Sequence, residues 1–176
     1  MTPLIRSWRL GALLLAAPSV AAAQNPPSPP ANACAAPEHH QFDFWIGDWD
    51  VSLPNGNVAG RNRIESILNG CVLRESWTGA RGVSGTSYNT FDRRTRKWHQ
   101  TWVDDGGDLL LLDGEFAGGQ MVLRSDEVPG PNGTKVINRI TWRETAPGEV
   151  RQLWEQTTDG GKTWTVSFDG RYRKRS

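Results

Sequence analysis

Residues 97–104 have the sequence Lys-Trp-His-Gln-Thr-Trp-Val-Asp, and this stretch decides the fold class. Its side chains alternate with a period of two, which is the spacing of a β-strand and not of a helix. Trp98, Gln100 and Trp102 therefore share one face of a strand, whereas His99 lies on the other. We predict that the Trp-bearing face points inward and that His99 points outward, because burial of two indoles stabilises the fold.

The same kind of segment recurs along residues 44–173. Short runs of Val, Ile, Leu, Trp, Thr and Tyr are separated by turn-forming sequences such as Asn69-Gly70 and Asp159-Gly160-Gly161. Ten runs, the first at residues 44–53 and the last at residues 163–173, predict an all-β, antiparallel sheet of about ten strands. Because an open sheet leaves unpaired edges, we expect a barrel, with a sandwich as the alternative.

The composition limits the classes of function. The 176 residues contain 20 Lys and Arg against 19 Asp and Glu, so that the formal net charge is +1. Without a basic field we expect no nucleic-acid partner. With 37% hydrophobic residues we expect no integral membrane span. Tryptophan makes up an unusually large share of the aromatic residues, with nine Trp against two Tyr and five Phe. Each indole has a large apolar surface and one N–H that needs a hydrogen-bond acceptor.

Several predicted strands combine Trp with amide or carboxyl side chains on one face. A hydrocarbon core does not need such polar groups, because burying them unpaired costs free energy. A ligand cavity uses both aromatic walls and a few polar groups. The candidate ligand-binding residues are Glu75, Trp77, Trp98, Gln100, Trp102, Trp142, Glu144 and Trp154. The alternative is a filled core whose polar groups lie at strand ends or satisfy each other, and the pattern leaves both open.

The function that this pattern favours is non-covalent binding of a small amphiphilic or aromatic molecule inside a Trp-lined barrel. A second hypothesis is an isomerase or hydrolase that uses Glu75 or Glu144 as a general acid or base. A third is a protein-interaction module with a filled core. We identify no catalytic set, metal site or cofactor: Glu38-His39-His40 is expected to be a solvated tail, and His99 to face solvent and hold no haem.

The N-terminus is typical of a secretory signal peptide. Arg6 and Arg9 accompany a short apolar run, and Ala21-Ala22-Ala23 fits a cleavage site, so residues 1–23 are predicted to be removed from a secreted or periplasmic protein. Residues 24–41 are rich in Pro and Ala and predict a linker, followed by a barrel domain at residues 42–176. In an oxidising compartment Cys34 and Cys71 most simply form one disulfide.

Gly47-x-Trp49, in the first predicted strand, resembles the Gly-x-Trp signature of lipocalin and other calycin barrels. The resemblance implies that Trp49 closes one barrel end and that Arg171 or Arg173 of the last strand, with Arg173 preferred, stacks on it. Four segments together are similar to a family of small exported bacterial proteins with lipocalin-like barrels: residues 42–49, 69–71, 97–104 and 159–164. This resemblance implies fold and export, and brings no activity or catalytic residue.

Residues 157–164 resemble the Asp-box of sialidases and other propellers, with Thr157 in place of the leading Ser. Propellers carry one copy in each of several blades, whereas this chain has one copy and no repeat of fixed period. We therefore interpret the segment as a hairpin turn that Asp159 fixes and Trp164 anchors.

Overall fold

The structure is a computed structural model, and it describes residues 33–176. The predicted signal peptide and residues 24–32 of the predicted linker lie outside the described residues. Short 3-10 helices cover Pro37–His40, Asp43–Trp45 and Pro131–Gly133. The strands are β1 (Gly47–Ser52), β2 (Val58–Ile67), β3 (Val72–Gly79), β4 (Ser84–Asp92), β5 (Lys97–Asp104), β6 (Leu109–Ala117), β7 (Gln120–Arg124), β8 (Val128–Pro129), β9 (Lys135–Ala146), β10 (Glu149–Thr157) and β11 (Thr165–Lys174).

Ten of these strands form one closed antiparallel barrel. Neighbours in sequence pair from β1 to β7, β7 pairs with β9, and β9 pairs with β10. The pairings of β10 with β11 and of β11 with β1 close the sheet, so that the ten strands leave no open edge. β8 pairs with the start of β9 and lies outside the barrel. The prediction of an antiparallel barrel of about ten strands is therefore confirmed, and the sandwich alternative is wrong.

Residues 33–46, which we call the plug, fold over one end of the barrel. The first predicted strand is wrong at its start, because Asp43–Trp45 is a 3-10 helix and β1 begins at Gly47. That helix places Phe42 and Trp45, both 0% exposed, inside the barrel end. The Phe42 ring centroid lies 4.9 Å from that of Trp45, 5.7 Å from that of Trp98 and 5.2 Å from that of Trp142. This end of the barrel is consequently filled by aromatic side chains.

The disulfide predicted between Cys34 and Cys71 is present and ties the plug to the turn after β2. The segment around it differs from a linker, however. His39 is buried and its ring lies 5.4 Å from that of Phe91, edge to face, so the expectation of a solvated tail is wrong at this residue. Glu38 accepts a hydrogen bond from the Arg96 guanidinium at 2.7 Å. Aromatic packing and one ion pair therefore hold residues that composition alone assigns to a linker.

Trp49 is 1% exposed beneath the plug, and its indole N–H donates to the Trp45 carbonyl oxygen at 2.9 Å. The cation over its ring is the Lys174 ammonium, whose Nζ lies 5.7 Å from the ring centroid. The pairing of β1 with β11 places Trp49 opposite Lys174. At Gly47, an added Cβ would lie 2.8 Å from Lys174 Cε, so that the glycine leaves room for this side chain.

The stack predicted between Trp49 and Arg171 or Arg173 is wrong. Tyr172 is buried inside the barrel, and its two strand neighbours are exposed on the outer surface because successive side chains alternate. The Arg173 guanidinium instead donates to the Glu149 carboxylate at 3.2 Å. The barrel therefore closes with a lysine over Trp49, and not with either predicted arginine.

Candidate ligand-binding cavity

The barrel is hollow at the end opposite the plug, where a cavity of about 260 Å³ lies between the strands. Its aromatic walls come from Trp77, Trp102, Trp154 and Phe168, near the ends of β3 and β5, in β10 and near the start of β11. The cavity reaches the surface beside Val83, which is 54% exposed. The other lining residues are Glu75, Gln100, Asp104, Leu110, Ile140, Gln152, Ser167 and Tyr172.

Two glycines make room for the indoles that form the walls. A Cβ added at Gly85 would lie 2.3 Å from Cζ2 of Trp102, and one added at Gly60 would lie 2.8 Å from Cη2 of Trp77. Both distances are far below van der Waals contact, so each indole packs against a stretch of bare backbone. The glycines thereby keep the rings against the barrel wall and leave the centre of the cavity free.

A chain of hydrogen bonds forms the polar floor of the cavity. The Glu75 carboxyl accepts from the Asn62 amide at 2.7 Å through Oε1 and from the Ser87 hydroxyl at 2.6 Å through Oε2. The Asn62 amide also donates to the Tyr172 hydroxyl at 3.2 Å. That hydroxyl donates in turn to Oε1 of Gln152. Neutral donors on two strands, β2 and β4, thus fix the position of a buried carboxyl group.

The chain continues through β4 to β5. Asn89 donates to the Ser87 hydroxyl at 2.9 Å, and Gln100 donates to Oδ1 of Asn89 at 2.8 Å. Ser87 and Asn89 are 0% exposed, and Gln100 is 2% exposed. Buried polar groups that satisfy one another in this way rigidify an interior. The floor is therefore a fixed surface.

Burial raises the pKa of Glu75, which outweighs the opposing effect of the hydrogen bonds from Ser87 and Asn62. Burial also raises the pKa of Tyr172, with the nearby Glu75 carboxylate as a second cause. The lining residues include two carboxyl groups, those of Glu75 and Asp104, and include no Lys, Arg or His. The free cavity consequently favours a protonated Glu75.

The structure brings five of the predicted ligand-binding residues to this cavity: Glu75, Trp77, Gln100, Trp102 and Trp154. Three others lie elsewhere. Trp98 and Trp142 pack in the filled end beneath the plug, and Glu144 is exposed near the end of β9, beyond Trp142. Alternation identifies an inward face, but it does not say at which height along the barrel a side chain lies.

The cavity lining also includes Gln152, Phe168 and Tyr172, which are not among the predicted ligand-binding residues. Gln152 shares the inward face of β10 with Trp154, and this signal was available in the alternation. Phe168 was hidden by a bulge, because Trp154 pairs with Phe168 whereas Glu155 pairs with Val166. Ser167 is the additional residue, so Phe168 points inward and Val166, 56% exposed, points outward. Filled core and cavity are both present, at opposite ends of one barrel.

His99 lies outside the barrel, as predicted from the alternation, whereas Trp98 is 2% exposed. The imidazole contacts the Asp113 carboxylate at 2.9 Å and the Thr101 hydroxyl at 2.8 Å. Among residues 33–176, no three His, Cys, Asp or Glu side chains form a group that could hold a metal ion.

The Asp-box-like segment forms the turn between β10 and β11. The Asp159 carboxylate accepts from the Thr163 hydroxyl and backbone N–H and from the Thr157 hydroxyl, and these bonds hold its pKa far below the usual range. The Trp164 ring lies against the barrel exterior, with the Arg139 guanidinium 3.9 Å from its centroid. The interpretation as an anchored turn is confirmed.

A wider depression of about 890 Å³ lies against β1, β2, β10 and β11. Its lining includes ion pairs near the surface, such as Arg61 with Asp50 at 3.4 Å and Arg173 with Glu149 at 3.2 Å. Such exposed pairs contribute little to stability or binding. The smaller interior cavity is therefore the better candidate for a site.

In comparisons with known proteins, the chain matches no family model and no curated protein. No helix within residues 33–176 is long and apolar enough to cross a lipid bilayer.

Proposed function

We propose that the protein binds one small, mostly apolar molecule in the cavity at the open end of the barrel. The observation that supports this most strongly is the cavity itself, which has aromatic walls and a polar floor. An apolar cavity of about 150 Å³ accommodates benzene, so 260 Å³ accommodates one ring with a short polar substituent. The floor residues would orient that substituent, because Gln100, Gln152 and Glu75 reach the cavity from three different strands.

The test compares three ligands that share a skeleton and differ in charge: 2-phenylethanol, phenylacetate and 2-phenylethylammonium. Indole N–H resonances of the ¹⁵N-labelled protein report the position of binding. We expect at least one ligand to shift the signals of Trp77, Trp102 and Trp154 and to leave those of Trp45 and Trp142 unchanged. Shifts confined to the plug end, or no shift with any ligand, would contradict the proposal.

A variant with a blocked cavity serves as the control. Ser167 is exposed and lies in the cavity lining at the bulge of β11, so Ser167→Phe introduces a ring at the mouth without altering the floor. We expect this variant to keep its folded spectrum and to lose the ligand-induced shifts. Native mass spectrometry of protein purified from its own cells then identifies the natural ligand by its mass.

We also propose that the chain is an exported member of the lipocalin-like barrel family that its four segments resemble. The disulfide supports an oxidising destination, since such bonds form and persist outside the cytoplasm. Mass-spectrometric identification of the N-terminal peptide of the secreted or periplasmic protein tests export directly. A first residue of Gln24 is expected, and an N-terminus that retains Arg6 and Arg9 would contradict it.

A second candidate function is catalysis by Glu75 as a general acid. The observation that favours it is the position of a buried carboxyl, with its pKa raised by burial, at the floor of the cavity. Once a ligand is identified, chemical conversion by the wild type and its loss in Glu75→Gln, with binding retained, would establish an enzyme. Recovery of the unchanged ligand after prolonged incubation would leave a binding protein.

A further inference from the structure

We infer that the cavity selects an organic cation, namely a small ammonium compound with an apolar skeleton. The inference rests on the proposed function, since it names the class of ligand for the same cavity. Three observations carry it: the signs of the lining charges, the aromatic walls, and a buried carboxyl group that has no cationic partner in the cavity lining.

The charges of the lining have one sign. Glu75 and Asp104 are acidic, and the remaining lining residues are neutral. Asp104 also accepts backbone hydrogen bonds from Gly106 at 2.9 Å and Asp108 at 3.0 Å, which fix its carboxylate at the mouth. An anionic ligand entering here would meet two carboxyl groups and no cation to offset its own desolvation. The lining therefore discriminates against carboxylates and phosphates.

The walls favour a cation for an independent reason. The faces of aromatic rings carry negative electrostatic potential, and three indoles and one phenyl ring surround the cavity. Trp is the strongest aromatic partner for a cation, and ligands with ammonium groups are commonly bound by cages of such rings. Because Gly60 and Gly85 hold two of these indoles against the barrel wall, the rings are positioned before any ligand enters.

Glu75 is the group that completes the recognition. The carboxyl is 4% exposed, and the hydrogen bonds to it come from the neutral Asn62 and Ser87. The other titratable groups facing the cavity are Asp104 and Tyr172, neither of which can supply a positive charge. An ammonium group at the floor would provide the missing counter-charge. The carboxyl would then bind as the carboxylate, and its proton would leave to solvent.

The three ligands of equal skeleton test this inference. We expect the wild type to bind 2-phenylethylammonium at least tenfold more tightly than 2-phenylethanol, and phenylacetate more weakly than either. The ammonium affinity should rise with pH while Glu75 is protonated in the free protein, and the 2-phenylethanol affinity should stay constant. Isothermal titration calorimetry in two buffers of different ionisation enthalpy should detect about one proton released for each ammonium bound, at a pH between the pKa of Glu75 in the complex and its higher pKa in the free protein.

Glu75→Gln is the diagnostic variant, because it keeps the shape of the side chain and removes its charge. We expect it to lower the ratio of ammonium affinity to 2-phenylethanol affinity at least tenfold, because an amide can still hydrogen-bond a hydroxyl but cannot offset an ammonium charge. Glu144→Gln is the matched control, since Glu144 is exposed beyond the filled end, and it should bind all three ligands like the wild type.

The outcomes separate the inference from the proposed function. If 2-phenylethanol or phenylacetate shifts the cavity indoles and binds as tightly as the ammonium compound, the inference is overturned while small-molecule binding stands. If ammonium affinity is unchanged in Glu75→Gln, the role of the carboxyl is overturned. If no ligand of the three shifts the indoles of Trp77, Trp102 and Trp154, both proposals fail.

Discussion

Removal of the disulfide by the double substitution Cys34→Ser and Cys71→Ser should destabilise the protein by about 4 kcal/mol. The bond joins residues separated by 37 positions. Closing a loop of that length in the unfolded chain lowers its entropy, which at 25 °C corresponds to about 4 kcal/mol. For a domain of this size, about 3 °C of melting temperature corresponds to each kcal/mol, so the expected fall is about 10–15 °C.

The assay is urea unfolding of the oxidised wild type and the double variant, followed by tryptophan fluorescence, with the wild type in reductant as a third sample. Reduced wild type and variant should agree, because neither carries the cross-link. A double substitution to Ala controls for placing a hydroxyl at the buried Cys34 site. A loss below about 1 kcal/mol would refute the reasoning, and it would show that packing around Phe42 and Trp45 holds the plug without the bond.

Four further substitutions test three single groups. Burial raises the pKa of Glu75 in the folded protein above 4.5, so the free energy of unfolding should fall as pH rises from that value, by up to about 1.4 kcal/mol per pH unit. Glu75→Gln should reduce this pH dependence in urea titrations at pH 5–9. Burial lowers the pKa of His39 from 6.5, so the free energy of unfolding should decrease as pH falls below 6.5. His39→Phe should remove that decrease. The same loss of stability at acid pH in the variant would contradict the prediction. Lys174→Met should cost about 0.5–1 kcal/mol through its contact with Trp49, whereas Lys174→Arg should retain stability in the same melts.

Alternation and turn composition predicted much of the architecture. The pattern around Trp98 and Trp102 placed both indoles inside and His99 outside, because strand geometry leaves one choice once a face is buried. The disulfide is predictable from a secretory destination, since two cysteines in an oxidising environment have one intramolecular partner each. These predictions depend on local periodicity or on a simple count.

The remaining features depend on three-dimensional relations that the sequence pattern does not contain. The bulge at Ser167 shifts the alternation of β11 by one residue. Phe168 therefore points into the cavity, although strict alternation would put it on the same face as Val166. The plug escaped prediction because its Pro-rich neighbourhood resembles a linker, and its stability comes from rings on distant strands. The polar floor joins Asn62, Glu75 and Tyr172, which the closure of the barrel brings together.

If the proposed ligand is bound, the plug also determines how it exchanges. Because aromatic side chains fill one end and a covalent bond secures it, a molecule in the cavity enters and leaves through the same opening. Binding and release therefore use a single path, and a new molecule cannot displace the old one from behind. Residence time should then depend on the mouth, where the turns at residues 80–83 and 105–108 join the strands. Substitutions in these turns should change the association and dissociation rate constants by the same factor. The dissociation constant should then stay unchanged, because contacts with the walls and floor determine it.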